Sequence, residues 1–409
     1  MDKVRINKKS EIKDVEIILP ASKSVANRAL IINALANGND SDLKNISEAR
    51  DTQTMLRLLG SDEKELDVLD AGTTMRFLTA FLAVSKKNKV LTGTPRMCQR
   101  PIKVLVDALR VLGADITYLN NDGFPPIEIA PFQKQKNNNL EVRGDVSSQY
   151  ISALLMIAPC LPEGLNITLI GEVGSKPYIS MTLKVMEAFG VKSAWHGAQI
   201  RVEHQAYTPC RYPIEPDWSA ASYWYSIIAL STKGNVLLTG LKDHSIQGDR
   251  VIADIMTPLG VETTFTEKGA YLRRKDHIKN TSIDFTDCPD LAQTVAVVCA
   301  VKGIICEMTG LESLRIKETD RISALQTELS KLGSSLTEEN GKWVLNPAAE
   351  VSGAQEVTIE TYEDHRMAMA FGPLATQMPI SILDPSVVNK SYPGYWKDLE
   401  LADFNILHT

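Results

Sequence analysis

The chain has 409 residues, 44% of them hydrophobic and 23% charged, and its 44 Lys and Arg against 50 Asp and Glu leave a net charge of −6. That balance fits a globular protein of at least two domains, each able to bury its own core, and argues against a nucleic-acid binder, which carries a basic excess. The cysteines lack Cys-x-x-Cys spacing and the histidines lack metal-ligand spacing. No P-loop or Gly-x-Gly-x-x-Gly fingerprint occurs, and no apolar run reaches the ~18 residues of a membrane span, so zinc, disulfide, nucleotide-cofactor and membrane readings find no support. Met1-Asp2-Lys3 does not open a signal or transit peptide, and the expectation is a cytoplasmic protein with reduced thiols.

In chain order, a strand-like segment from Val15 to Leu19 precedes an apolar, small-residue helix after Ser24 and then an amphipathic helix closing on Leu59-Gly60. The couple recurs after Gly72, closing on Leu112-Gly113, and after Ser148, where Ile151 to Cys160 is apolar and Phe189-Gly190 closes the partner. It recurs again after Asp217, closing on Leu259-Gly260, and after Asp290, where Leu291 to Val301 is apolar and Leu332-Gly333 follows. The last copy starts at His365, with Met367 to Pro373 apolar and Tyr395 to Phe404 cut short by the terminus. A helix apolar on every side is buried, and glycine after the last hydrophobic residue suits a left-handed cap. Strand patterns lie between, as at Leu165 to Ile170, Asn235 to Leu238 and Ile304 to Met308, whereas Gln133 to Asn139 reads as a polar surface loop. Strand and helix alternating six times predicts an α/β fold with one buried and one outer helix per repeat. Three repeats per domain puts a boundary at Pro213-Ile214-Glu215-Pro216, where prolines interrupt regular structure.

Charge gathers where the helices begin. Arg315-Ile316-Lys317-Glu318-Thr319-Asp320-Arg321 precedes an apolar run from Ile322 and opens a helix at Thr319 or Asp320; Asp364-His365-Arg366 opens another. A solvated face can be this charged, but charge at helix starts suits a site for a charged small molecule. The first three buried helices start with Lys23, Ser24 and Arg28, with Gly72, Thr73 and Arg76, and with Ser147, Ser148 and Gln149, which suit phosphate and carboxylate oxygens. The last three start with Asp217, Asp290 and Asp364, each either a simple cap or a proton-transfer group facing an anion. Arg96 and Arg100 flank Met97-Cys98-Gln99 before Pro101, which is expected to start an outer helix; the pair is either a carboxylate clamp or surface charge. Ser175-Lys176-Pro177-Tyr178 reads in isolation as a turn before another outer helix, and Lys390 says nothing alone.

The ordered set resembles the 5-enolpyruvylshikimate-3-phosphate synthase family of the shikimate pathway. The matching motifs run from Pro20-Ala21-Ser22-Lys23-Ser24-Val25-Ala26-Asn27-Arg28 through Ala71-Gly72-Thr73-Thr74-Met75-Arg76, Pro95-Arg96-Met97, Arg100-Pro101-Ile102 and Val146-Ser147-Ser148-Gln149. They continue with Ser175-Lys176-Pro177-Tyr178, Pro289-Asp290, Lys317-Glu318-Thr319-Asp320-Arg321, Asp364-His365-Arg366 and Lys390-Ser391-Tyr392-Pro393. The resemblance implies a two-domain, inside-out α/β barrel, each domain three βαβαββ repeats around buried helices, with the active site in the interdomain cleft. Residues 1–20 with 217–409 would form one domain and 21–216 the other, the chain crossing the hinge near Pro20 and Pro216.

It further implies transfer of the enolpyruvyl group of phosphoenolpyruvate to the 5-hydroxyl of shikimate-3-phosphate, releasing phosphate, by a monomer without metal or cofactor. Lys23, Ser24, Arg28, Ser147, Ser148, Gln149, Ser175, Asp290 and Lys317 are implied to hold shikimate-3-phosphate. Lys23, Gly72, Arg100, Gln149, Arg321, Arg366 and Lys390 are implied to hold phosphoenolpyruvate. Asp290, assisted by Lys23, is the expected base on the hydroxyl; Glu318 would exchange the proton at the methylene carbon, and Lys390 would support phosphate departure. The residues alone leave open which carboxylate has the raised pKa.

Three positions depart from the family pattern: Asp70 and Ser313 stand where many members have asparagine, and Phe77 where proline is common. An acid at 70 would repel a phosphate unless paired or turned away. Phe77 is expected to alter the helix behind the pocket. The related UDP-N-acetylglucosamine enolpyruvyl transferases carry a reactive cysteine where this chain has Pro95, so Cys98 reads as an ordinary thiol.

Overall fold

The computed structural model describes residues 2–145, 147–349 and 356–408; Val146, first of the Val-Ser-Ser-Gln motif, lies outside them. The chain divides into two compact units, a middle unit Ala21–Ile214 and a flanking unit of Met1–Pro20 with Glu215–Thr409.

The middle unit carries helices α1 (Lys23–Leu35), α2 (Arg50–Leu59), α3 (Gly72–Ala83), α4 (Lys103–Leu112), α5 (Ser148–Ile157) and α6 (Lys176–Ala188). Helices α1, α3 and α5 pack on one another. Their composition requires it, because α5 is buried at every residue from Tyr150 to Ile157 and has no face to offer water. Outer helix α4 instead buries only Leu105, Val106, Leu109 and Leu112, the single stripe expected of an amphipathic helix. One sheet takes the order Glu65–Asp67, Lys89–Thr92, Ile127–Ile129, Ile116–Tyr118, and a second the order Asn139–Arg143, Leu165–Ile170, Gln199–Val202, Ser193–His196. In each, the first pair is parallel and the rest antiparallel. A parallel pair needs a crossover, which the buried helix supplies, and a hairpin completes the sheet. The remaining repeat is reduced to a parallel pair, Leu43–Lys44 with Tyr212–Pro213.

The flanking unit carries α7 (Trp218–Leu230), α8 (Ile252–Met256), α9 (Ala292–Lys302), α10 (Arg321–Ser330), α11 (His365–Phe371) and α12 (Tyr395–Leu401). Here α7, α9 and α11 form the packed inner set. Three four-stranded sheets repeat the parallel-then-antiparallel order. Two of them recruit the N-terminal segment: Val15–Ile18 runs parallel to Asn235–Thr239, and Lys3–Ile6 lies between Ile380–Leu383 and Ile406–His408. The α/β repeat architecture expected from the sequence is therefore present, with one middle-unit copy lacking its hairpin among the described residues.

Local expectations differ at three points. Gly113, Gly190, Gly260 and Gly333 have positive φ, but Gly60 sits at φ −85°, its N–H simply continuing the helical pattern to Leu56 O. Pro101 does not start α4; the Ile102 N–H goes instead to Gly123 O at 2.9 Å, which keeps the chain out of the helix until Lys103. Helix α8 stops at Met256, so Leu259-Gly260 belongs to the turn beyond it.

Candidate active site

Each unit gathers its own share of the expected residues. In the middle unit, Lys23 at the start of α1 donates to Asp51 Oδ2 at 3.1 Å, and the Asp51 carbonyl accepts from Thr74 Oγ1 at 3.2 Å, joining α1, α2 and α3. Gln149 Nε2 donates to Thr73 Oγ1 at 3.0 Å, so the starts of α5 and α3 meet. Ser147 caps α5, and Ser175, with φ +55°, opens α6. Arg100 lies over Gly72: a methyl placed there would sit 2.6 Å from Arg100 Nη1 and 2.9 Å from Arg76 Nη1. Glycine is thus required for the close approach of two guanidinium groups.

Arg28 is interior, only 2% exposed. It donates to Thr182 Oγ1 (2.7 Å), Ser24 O (2.8 Å), Ser152 Oγ (3.1 Å) and Tyr178 O (3.3 Å), and burial lowers its pKa to about 10. Its guanidinium stands 5.3 Å from the centre of the Phe77 ring, a cation–π arrangement. Phe77 leaves α3 unbroken and forms part of the floor beneath Arg28. Asp70 is paired, its Oδ2 accepting from Arg50 Nη2 at 2.9 Å. Cys98 Sγ faces the Gly93 carbonyl at 3.5 Å.

The flanking unit holds a denser network. Arg321, the first residue of α10 and 2% exposed, donates to Asp364 Oδ2 (2.7 Å), Asp290 Oδ1 (3.0 Å) and Glu318 Oε2 (2.8 Å). Arg366 Nη2 takes the other Asp290 oxygen at 2.7 Å. Lys317 Nζ approaches Asp290 at 3.9 Å, and buried Lys390 approaches Glu318 Oε1 at 3.6 Å. Burial alone would raise the Asp290 pKa, but Arg366, Lys317 and Arg321 outweigh it and hold the carboxyl well below its usual range. Burial lowers the Lys317 pKa, and Arg321 and Arg366 lower it further; Asp290 and Glu318 raise it but do not offset them.

The three aspartates divide. Asp217 caps α7, accepting from the N–H groups of Ser219 and Ala220; Asp364 caps α11 and also binds Arg321. Asp290 lies inside the turn Pro289–Leu291 that precedes α9, and its carboxylate faces the cations. Two buried acids close to these residues, Asp51 and Asp249, carry no sequence motif. Asp51, the partner of Lys23, sits in an amphipathic helix whose pattern conceals it. Asp249, in a Gly-Asp-Arg turn without motif, accepts a short hydrogen bond from Ser219 Oγ. Burial, with Asp290 nearby, raises Asp249 to about 6. Ser313 lies half-buried in the turn Glu312–Ile316. Among the described residues, no group of three or more His, Cys, Asp or Glu is placed to hold a metal ion.

The sequence model of the EPSP synthase (3-phosphoshikimate 1-carboxyvinyltransferase) family matches residues 7–68 and 59–399. The chain belongs to the EPSP synthase family. A relative from Bacteroides fragilis (strain YCH46), named 3-phosphoshikimate 1-carboxyvinyltransferase, is 50% identical over 400 residues covering 97% of each chain. Another of the same name from Pasteurella multocida (strain Pm70) is 37% identical over 417 residues, 93% of each. A solved EPSP synthase from Acinetobacter baumannii superposes with a TM-score of 0.80 over 100% of both chains at 20% identity, a likeness of fold. Within the EPSP synthase family pattern, the acid at 70 is accommodated by its pairing with Arg50.

Proposed function

We propose that this chain catalyses the 3-phosphoshikimate 1-carboxyvinyltransferase reaction, moving the enolpyruvyl group of phosphoenolpyruvate onto the 5-hydroxyl of shikimate-3-phosphate and releasing phosphate. The observation that carries the assignment of roles is the flanking-unit cluster, in which Arg321 and Arg366 share the Asp290 carboxylate while Lys390 stands beside Glu318. Family membership supports the reaction itself.

In the addition step the 5-hydroxyl loses its proton and its oxygen bonds to the central carbon of phosphoenolpyruvate, whose methylene carbon takes up a proton. In the elimination step a proton leaves that carbon and the C–O bond to phosphate breaks. Asp290 accepts the hydroxyl proton and Glu318 exchanges the proton at carbon. As it rests, Asp290 is too weak a base, because two guanidinium groups stabilise its anion. Phosphoenolpyruvate supplies competing anions: as its carboxylate and phosphate draw Arg321 and Arg366 away, Asp290 regains basicity when the acceptor is present. Lys390 follows the departing phosphate. Lys23, Gly72, Arg100 and Gln149 contribute further contacts to phosphoenolpyruvate, and Ser24, Arg28, Ser147, Ser148, Gln149, Ser175 and Lys317 to shikimate-3-phosphate. Arg28 acts chiefly by fixing the Ser24 and Tyr178 backbones, to which it already donates. We assign the protein to the cytoplasm as a monomer, on family analogy; sedimentation tests the latter. Among the described residues no helix is long and apolar enough to cross a membrane.

Phosphate release from phosphoenolpyruvate, measured with shikimate-3-phosphate and with UDP-N-acetylglucosamine as alternative acceptors, tests the reading. Release with shikimate-3-phosphate alone is expected; release only with the sugar nucleotide would reassign the acceptor.

A further inference from the structure

Glu328 lies outside the cluster, yet it is a carboxylate with no exposure at all. Such a group persists in a protein interior only when its oxygens are fully used. It accepts from Tyr362 OH at 2.7 Å, Lys331 Nζ at 2.7 Å and the Glu360 N–H at 3.3 Å, and Lys331 also reaches Thr358 O at 3.0 Å. Glu328 stands seven residues after Arg321, two turns along α10, so both side chains leave the same face of the helix. Arg321 holds Asp364 and Glu328 holds Glu360 and Tyr362, so one helix face grips the segment 360–364 at both ends.

The segment needs that grip. Tyr362 and Glu363 have φ of +54° and +57°, two successive non-glycine residues in the left-handed region. The chain then enters α11, whose cap supplies Asp364 to Arg321 and whose first turn supplies Arg366 to Asp290.

We propose that Glu328 is a positioning residue: with Tyr362 it fixes the left-handed bend that delivers Asp364 and Arg366 to the cation cluster. Choosing phosphoenolpyruvate as the substrate to follow rests on the function proposed above. Tyr362→Phe removes one hydroxyl and Glu328→Gln preserves shape. Each should raise the KM for phosphoenolpyruvate by ~5-fold or more, the scale of a lost hydrogen bond to a buried charge, while the KM for shikimate-3-phosphate moves by less than about twofold. Glu363→Gly, which reaches the left-handed region without strain, should recover part of the loss when added to Tyr362→Phe. A lowered Tm with both KM values unchanged would mean a purely structural role and overturn the inference. Affinity for inorganic phosphate, read by calorimetry on the same variants, separates the two proposals. It should fall in parallel with the KM change, and undiminished affinity overturns the inference even where the wild-type chain shows no turnover, an outcome that would by itself remove only the function reading.

Discussion

At the scale of residues, close contacts between charged groups of both signs shape the site's behaviour. Gly72 is the clearest case, since two guanidinium groups lie where its side chain would be. Gly72→Ala must displace Arg100, and the expected result is a KM for phosphoenolpyruvate raised ~10-fold, about 1.4 kcal/mol, with weaker inhibition by glyphosate, which competes for that site on family analogy. Unchanged inhibition and KM would remove Gly72 from the phosphoenolpyruvate pocket. Asp249 gives a pH signature. Burial lifts its pKa from 3.8 to about 6; Asp290 and Asp217 add to the rise, and Arg366 and the Ser219 hydroxyl oppose it. Because the folded value exceeds the unfolded one, the folded chain binds more protons between them, and this group's contribution to stability is lost as pH rises from about 4 through about 6. Asp290 acts in the opposite sense but lower on the scale, its contribution being lost only as pH falls below the ordinary carboxylate range. Asp249→Asn should therefore flatten the decline between about pH 4 and 6, which melting curves at stepped pH will read; an identical profile in the variant would refute the placement of that titration.

Among the elements, helix ends show what local sequence encodes and what it does not. A hydrophobic residue followed by glycine correctly marks left-handed positions at Gly113, Gly190, Gly260 and Gly333. The identical signal at Gly60 does not, because nothing in the dipeptide records where the chain must go next. The two glycines should respond differently to alanine. At Gly113 (φ +112°) a methyl would meet Lys134 O at 2.4 Å, so Gly113→Ala should cost ~1–3 kcal/mol. At Gly60 the nearest atom is Arg57 O at 3.9 Å, and Gly60→Ala should be neutral or stabilising by up to ~1 kcal/mol. Denaturant titration of the pair checks the contrast, and equal losses would contradict it. The buried helices are legible because they are apolar nearly all round, and α7 is accordingly buried at every residue except Ser219. The start of α4 was misread because a distant carbonyl, Gly123 O, claims the Ile102 N–H, and no window of local sequence contains both.

Over the whole molecule, six recurring helix couples and a proline-marked break are readable as patterns, and among the described residues five four-stranded sheets of one strand order bear out the repeat. The recruitment of Lys3–Ile6 and Val15–Ile18 into sheets of the flanking unit was beyond periodicity, because those pairings join segments more than two hundred residues apart. Candidate site residues that sit in motifs are legible in the sequence; Asp51 and Asp249, single acids in ordinary-looking segments, become visible only once folding places Lys23 and Ser219 against them. The central claim is that the Asp290 carboxylate, held between Arg321 and Arg366, is the base for enolpyruvyl transfer. Its most direct measurement is phosphate release from phosphoenolpyruvate and shikimate-3-phosphate by the wild-type chain and by Asp290→Ala, with folding verified by circular dichroism. A fall in kcat of ~100-fold or more, with substrate still bound, is the expected result for a lost general base. A folded Asp290→Ala variant that turns over at the wild-type rate would contradict the assignment.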